Sequence, residues 1–182
     1  MIEWIVGIII VAILGWLLLA YNGFVQLKNR IDNSWSQIDV QLKRRFDLVP
    51  NLVETVKGYA RHEKETLNMV TQARAAISKA GSTKDKMMAE NMLSGALKTL
   101  FAVSESYPDL KANQNFLMLQ EELSGIESKI AYARQFYNDT VLTYNTKTET
   151  VPDSVIAGMF GFKKRDYFQI DEAARENVKV QF

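Results

Sequence analysis

The sequence contains no cysteine and a single histidine, His62. Without cysteine the chain has no disulfide, thiolate metal site, iron–sulfur cluster or thiol nucleophile. Nine glycines and three prolines in 182 residues leave long stretches free of helix breakers, which argues against an all-β sandwich. The 22 basic residues nearly balance the 21 acidic ones, whereas a nucleic-acid-binding domain normally carries a basic excess. These absences leave an all-α protein, a membrane protein, or both.

One long uncharged run lies near the N-terminus, between Trp4 and Leu27. As a helix with a rise of about 1.5 Å per residue it would extend roughly 36 Å, which is enough to cross a hydrocarbon core of about 30 Å. We therefore predict a transmembrane anchor over residues 4–24, preceded by a short exported N-terminus, residues 1–3. The predicted span includes large apolar residues and aromatic residues of the type found at membrane interfaces: Trp4, Ile8, Leu14, Trp16 and Tyr21.

A signal peptide, a lipoprotein signal and a buried core helix each fit this run less well than an anchor does. A cleaved signal peptide needs a positive N-terminal region, but Glu3 stands there without Lys or Arg, and a cut after Ala20 would place the large Leu18 at the −3 position. A lipoprotein needs a cysteine. A buried core helix seldom carries so long an uncharged run. The residues therefore favour an uncleaved anchor.

All Lys and Arg residues follow the predicted anchor, beginning with Lys28 and Arg30. Basic residues near the ends of a span are retained on the cytoplasmic side. We therefore predict a single-pass protein of the cell membrane, with its N-terminus outside and its C-terminal domain in the cytoplasm.

Beyond the anchor, apolar residues recur at the helical interval of about 3.6 residues. The first stripe runs from Ile31 to Ala60 and includes Pro50. Because a proline normally costs a helix about 3 kcal/mol, we expect a kink or a local restart there, although the sequence does not determine whether the helix runs through it. Two shorter helices are predicted around residues 67–77 and 88–103, the latter capped by Ser82. The predicted inner face of that latter helix comprises Met88, Met92, Ala96, Leu100 and Val103.

The clearest pattern is a pair of apolar rows spaced seven residues apart between Phe116 and Tyr144. It predicts a heptad helix over residues 113–149, with Asn113 or Asn115 as its N-cap. Short turns make neighbouring helices antiparallel, so we predict an all-α fold: a transmembrane helix followed by an elongated antiparallel bundle of about four helices. The core of the heptad helix is predicted to include Leu119, Leu123, Ile126 and Ile130.

The predicted bundle, residues 25–150, is followed by a C-terminal tail, residues 151–182, of different character. Apolar residues crowd between Val155 and Phe162, and three basic residues follow at once. This pattern fits aromatic insertion into a membrane with attraction to anionic lipid, and it fits equally well the cover of a bundle end or of a neighbouring subunit. The residues predicted to contact lipid or a protomer are Phe160, Phe162, Lys163, Lys164 and Arg165.

Recognisable catalytic and metal-binding motifs are missing from the sequence. His62 and Glu63 begin like the zinc-protease motif H-E-x-x-H, but Thr66 stands where the second histidine is needed. No glycine-rich phosphate loop occurs. We therefore predict no catalytic residue, no metal site and no cofactor, although a Ser-His-Asp site assembled only in space stays open.

A second basic triplet, residues 43–45, lies well past the predicted span. On a continuous helix its distance of roughly 25 Å from Leu27 exceeds a Debye length of about 8 Å, so we expect no lipid contact. Pairing with acids of a neighbouring helix or protomer is expected instead, and residues 121–122, both glutamates, are one such acidic pair.

Short segments distributed along the chain carry a family resemblance. They are MIEWI at 1–5, YN at 21–22, LKNR at 27–30, WSQIDVQLKRR at 35–45, DLVPNLV at 47–53, ANQNFL at 112–117, FYND at 136–139 and IAGMFGF at 156–162. With these segments the chain resembles the LemA family of bacterial membrane proteins over essentially its whole length. The resemblance implies a single-pass anchor with a cytoplasmic helical bundle, and it brings no catalytic residues. Family members are often associated with membrane metalloproteases and TPM-domain proteins, so the resemblance points to membrane-protein or envelope maintenance.

These observations predict a non-enzymatic, membrane-anchored scaffold or adaptor at the cytoplasmic membrane. The expected partners are the lipid bilayer, further copies of the chain, and a membrane protein such as a metalloprotease or a TPM-domain protein, but no nucleic acid. Self-association is expected because several apolar residues lie off the predicted packing stripes: Leu48, Leu52, Tyr59, Leu117, Phe136, Val141 and Leu142. The alternative is a hydrolase or a signal-relay subunit whose site forms only in space.

Overall fold

The computed structural model describes residues 1–169, and over that range the protein is all-helical, as predicted, with no strand. Residues 170–182 of the predicted tail lie outside the described residues. The described part contains six helices: α1 (Ile2–Tyr59), α2 (Lys64–Lys79), α3 (Thr83–Ser104), α4 (Pro108–Lys111), α5 (Gln114–Glu149) and α6 (Asp153–Phe160). The four longer helices are those expected from the sequence, whereas the short α4 and α6 are additional to the predicted four.

The described chain divides into two compact units. Unit 1 comprises Met1–Gln37 and Ala133–Tyr167, which are the first part of α1, the last part of α5, and α6. Unit 2 comprises Ile38–Tyr132 with the described residues after Tyr167. Helices α1 and α5 therefore contribute residues to both units.

Helix α1 runs through Pro50 without a break, so the local restart expected there is wrong. Proline has no backbone N–H, so the carbonyl of Phe46, four residues earlier, loses its helical donor. Arg74 of α2 supplies a replacement: its Nε donates to the Phe46 carbonyl oxygen at 3.5 Å, and its guanidinium lies 4.1 Å from the centre of the Phe46 ring. A side chain of the neighbouring helix thus compensates for the proline.

The hydrophobic core of unit 2 is built from all five helices that enter the unit. On the heptad helix α5, Leu123, Ile126 and Ile130 are buried, and Leu119 packs against the core while remaining partly exposed. The buried members of the core cluster are Val49, Leu52, Val53, Val56, Ala60, Leu67, Val70, Ala73, Leu93, Ala96, Leu97, Leu100, Leu110, Phe116 and Leu123.

The inner face predicted for α3 is wrong at its N-terminal end. Met88 and Met92 are exposed, and Met87 and Leu93 are buried in their place. The physical reason is the helical period: each step of four residues turns a side chain about 40° past a full turn, so a row spaced by four drifts off the packed face.

Side chains close the N-termini of α3 and α5. The Ser82 hydroxyl accepts a hydrogen bond from the backbone N–H of Asp85 at 3.1 Å, which confirms the predicted cap of α3. The side-chain oxygen of Asn113 accepts from the N–H of Phe116 at 3.0 Å, so Asn113, the first of the two predicted candidates, caps α5. Each cap satisfies a backbone donor that the helix itself leaves without a partner.

Candidate membrane-facing site

The N-terminal part of α1 presents an apolar surface that the described residues do not cover. An 18-residue window of this helix has a mean hydropathy of 2.6 and none of it is buried. It is the one helix among the described residues that is long and apolar enough to cross a membrane. A buried core helix, one of the alternatives for this run, is therefore contradicted. Of the predicted span residues, Trp4, Ile8, Leu14 and Tyr21 are exposed and Trp16 is partly buried.

Packing along α1 begins at Ala20, the first buried residue of the chain, and continues at Phe24. The Phe24 ring stacks on that of Phe162, with ring centres 4.7 Å apart, and meets the edge of the Tyr144 ring of α5 at 5.9 Å. Tyr144 is buried, and one of its contacts, the Phe24 ring, comes from α1.

Two of the predicted lipid-or-protomer residues lie against the end of the candidate span. The ring centre of Tyr21 is 4.9 Å from that of Phe160 and 5.7 Å from that of Phe162. Phe160 nevertheless keeps more than half of its surface exposed, whereas Phe162 is largely enclosed. Both side chains therefore meet α1 where its exposed apolar surface ends.

Helix α6 positions these phenylalanines. Its inner face, Ile156 and Ala157, is buried, and Gly161 ends it in the left-handed conformation, with φ of 71°. A residue with a Cβ would be strained at that φ, so glycine permits the reversal in which the Phe162 N–H donates to the Ala157 carbonyl oxygen at 2.9 Å. The reversal directs Phe162 back onto α1. Apolar side chains of α6 and of the turn before it remain exposed: Val151, Val155, Met159 and Phe160.

The basic triplet after α6 is only partly available to a ligand. Lys163 is exposed, but Lys164 forms an ion pair with Glu149. Arg165 lies 3.8 Å from the carboxylate of Asp32, and its backbone N–H and carbonyl oxygen both bond to the side chain of Asn145 at 2.9 Å. Two of the three predicted lipid-contacting cations are therefore engaged in holding the segment to α1 and α5.

A charged pair lies beside the packed end of the apolar segment. Lys147 of α5 lies 5.1 Å from the centre of the Phe24 ring and donates to the Asp153 carboxylate at 3.1 Å. A Cβ added at Gly23 would stand 3.4 Å from Cε of Lys147, so the lysine stem lies directly on α1. Pairing with Asp153 allows this ammonium group to lie near apolar surface at a lower desolvation cost than an unpaired charge would incur.

Two tyrosines of α5 have raised pKa values in unit 1. Burial raises the pKa of Tyr144 and, with a contribution from Asp166, that of Tyr137, while the positive charge of Arg165 opposes both shifts. The Tyr137 hydroxyl donates to the Asp166 carbonyl oxygen at 3.1 Å. Neutral phenols are therefore favoured in the folded unit.

Unit 2 contains a buried charge network centred on Arg45, which is completely buried. Its guanidinium binds the buried Glu90 carboxylate at 2.5 Å, the Ser94 hydroxyl at 2.7 Å and the half-exposed Glu127 carboxylate. Pairing of the basic triplet with acids of neighbouring helices is thus observed, but the predicted partners were wrong. Residues 121–122 are exposed, and α3 supplies the buried acid instead.

The remaining sequence-derived candidates do not form a recognisable reaction site in the part of the chain that the structure describes. His62 is exposed in the turn between α1 and α2. A surface cleft of about 260 Å³ mixes both charge signs among its lining residues, which include Asp39, Lys43, Lys86 and Glu90. Within residues 1–169, no group of three or more His, Asp or Glu side chains is arranged to hold a metal ion.

Comparison with known proteins defines the class to which this arrangement belongs. The LemA family model matches residues 34–182. The chain is 30% identical to Protein LemA of Metamycoplasma hominis over 162 residues, covering 86% of this chain and 72% of that protein. It is 27% identical to Magnetosome protein MamQ 2 of Paramagnetospirillum magneticum over 186 residues, covering 88% of this chain and 68% of that protein.

A further relative is Magnetosome protein MamQ of Magnetospirillum gryphiswaldense, which is 25% identical over 185 residues, covering 87% of this chain and 68% of that protein. The extent of the family match means that the chain belongs to the LemA family, which confirms the resemblance seen in the short sequence segments. With its one candidate membrane-spanning helix among the described residues, it is a membrane-associated member of that family.

Proposed function

We propose that this protein is a non-enzymatic scaffold or adaptor, held at the cytoplasmic membrane by α1. The observation that carries the proposal is the continuity of α1. One unbroken helix supplies both the exposed apolar segment and packed core residues such as Ile38 and Val49. The segment proposed to anchor the chain and residues of the packed core therefore belong to one continuous helix.

Burial at the end of the apolar segment supports an anchor that is retained. Cleavage after Ala20 would remove a buried side chain and leave Tyr21, which packs on Phe160 and Phe162, as the first residue. The basic residues from Lys28 onward support an orientation with the N-terminus outside and the bundle in the cytoplasm.

Exposed apolar side chains in unit 2 support association with further copies of the chain or with another membrane protein. Met88 and Met92 lie one helical turn apart on the outer face of α3, and Leu117 is exposed on α5. Methionine side chains adapt to partners of different shape. Three of the residues expected to leave apolar surface uncovered do not do so: Leu52 and Val141 are buried, and Leu48 packs on the core.

A membrane metalloprotease or a TPM-domain protein is the partner class that the family resemblance suggests, and a role in membrane-protein or envelope maintenance follows from it. Two of the relatives are named as magnetosome proteins. No nucleic-acid partner is proposed, since the charges of the chain balance.

Photo-crosslinking in intact membranes tests the scaffold proposal. A photoreactive residue replacing Met92 should give adducts that contain a second copy of the chain or a membrane protein, identified by mass spectrometry. The matched control replaces Lys98, which is also exposed on α3 but about 120° away around the helix. A chain that yields no protein adduct from position 92 above the control would contradict the proposal. Turnover of an ester, peptide or phosphate substrate that is lost in His62→Ala would favour the hydrolase alternative.

A further inference from the structure

We propose that α6 is an interfacial helix whose exposed apolar side chains, Val155, Met159 and Phe160, insert into the bilayer beside α1. The inference deepens the proposed anchoring of the chain, on which it rests. It names the lipid bilayer as the occupant of a surface that the sequence assigned to either lipid or a neighbouring protomer.

The depth of α6 follows from its contact with the candidate span. A helix needs about 20 residues to cross the hydrocarbon core, so a span that begins at Trp4 reaches the opposite boundary near Gly23. Tyr21 lies within that length, and its ring centre is 4.9 Å from that of Phe160. The end of α6 is therefore held at the level of the bilayer boundary whenever α1 spans the membrane.

Helix α6 is amphipathic, so one set of its side chains packs on the protein and another is available to the bilayer. Ile156 and Ala157 pack inward, while Val155, Met159 and Phe160 remain exposed. Phe160, at the end of α6, packs on Tyr21 and so joins the exposed residues of α6 to the uncovered apolar surface of α1. Interfacial helices bury such side chains at the boundary between headgroups and acyl chains.

Most of the cations around α6 have an acidic partner. Lys164 pairs with Glu149, Arg165 lies near Asp32, and Lys147 pairs with Asp153 at the start of α6. Lys163 remains exposed, so its attraction to anionic lipid adds to the apolar insertion.

Spin labels on the full-length chain test this placement, and the absence of native cysteine makes each introduced cysteine the sole label. Met159→Cys reports on α6. Met118→Cys is the matched control, since the two methionines are 68% and 69% exposed, and Val11→Cys, 70% exposed, reports on the span. The chain is reconstituted into phosphatidylethanolamine–phosphatidylglycerol vesicles, and collisions with oxygen and with a water-soluble nickel chelate are compared.

The expected ratio of oxygen to nickel collisions at position 159 is at least about threefold higher than at position 118, as it is at position 11. A lipid-like ratio at position 11 with a water-like ratio at position 159 would overturn the inference and leave the anchor intact. Protection of position 159 from both reagents, with spin–spin broadening, would assign the face to a neighbouring protomer and also overturn it. A water-like ratio at position 11 would overturn both the inference and the proposed anchoring.

Discussion

Arg45 and its neighbour Arg44 show how position on a helix decides the role of a charge. Arg44 faces solvent, whereas Arg45 is buried and bound to Glu90, Ser94 and Glu127. A buried ion pair recovers its desolvation cost only when its hydrogen bonds are made, so removal of one partner leaves a costly uncompensated charge. The network therefore fixes the relative position of three helices, α1, α3 and α5, within unit 2.

Arg45→Met should destabilise the protein by about 3–5 kcal/mol, because Glu90 would be left as a buried carboxylate without its cation. Thermal unfolding of the detergent-solubilised chain, followed by circular dichroism, measures the loss. Arg44→Met, the exposed control one residue away, should change stability by less than about 0.5 kcal/mol. Equal effects of the two substitutions would contradict the buried network.

Alkaline pH should destabilise unit 1 through Tyr137 and Tyr144. Burial raises both pKa values above that of an unfolded tyrosine, about 10, so the stabilisation by the neutral phenols is complete below pH 10 and is lost as the pH rises through the folded pKa values. Tyr137→Phe removes one of the linked groups, and stability should then fall less steeply with pH in denaturant titrations. Tyr132→Phe, at an exposed position, is the control, and an unchanged slope for Tyr137→Phe would contradict the linkage.

At the scale of the helix, α1 tolerates a proline because α2 supplies a donor. Pro50 leaves the Phe46 carbonyl without a helical partner, and Arg74 donates to it while covering the Phe46 ring. A proline inside a helix costs about 3 kcal/mol, which explains why a kink or restart was a reasonable expectation. The compensating residue lies in a different helix, so the periodicity of α1 alone contains no trace of it.

A double-mutant cycle measures this compensation. Pro50→Ala restores a backbone donor for Phe46, so the cost of Arg74→Met should be about 0.5–1.5 kcal/mol smaller in the Pro50→Ala background than in the native chain. Chemical denaturation gives the four stabilities. Arg61→Met, in the exposed turn after α1, should show no such coupling. Equal costs of Arg74→Met in both backgrounds would rule out the proposed role of the guanidinium.

Packing of the heptad face of α5 can be tested by truncating one of its buried residues. Ile130 is completely buried, so Ile130→Ala should cost about 2–5 kcal/mol through lost contacts and the cavity left behind. Tyr132→Ala, an exposed large-to-small change two residues away, serves as the control. An unchanged melting temperature for Ile130→Ala would mean that the heptad face does not pack in solution.

The spacing of apolar residues within a helix was sufficient to predict which face of that helix is buried. It was insufficient to predict which side chains of different helices contact each other. The α5 seam and the stripe of α1 follow directly from spacings of seven and of about 3.6 residues. Arg45 lies three residues after Leu42 and four before Val49, so its helical phase places it on the buried face. It was not predicted to be buried because a charged residue is not counted in an apolar pattern. The identity of its partner, Glu90, depends on the register between helices, which spacing within one helix does not determine.

At the scale of the whole molecule, membership of the LemA family and the exposed apolar part of α1 define a membrane-associated helical protein. The proposed scaffold depends on α1 acting as a retained anchor with the bundle on the cytoplasmic side. Exposed surface on α3 and α5 would then be presented to partners confined to the same membrane, which raises their effective concentration.

Labelling of single cysteines with a membrane-impermeant maleimide in a bacterial host tests this topology most directly. Ile2→Cys lies before the predicted span and Met118→Cys lies on an exposed position of α5. The account predicts that Ile2→Cys is labelled on the full-length protein in intact cells, which requires both export and retention of the N-terminus, and that Met118→Cys is labelled only after lysis. Labelling of Met118→Cys in intact cells, or loss of residue 2 from the mature protein, would contradict it.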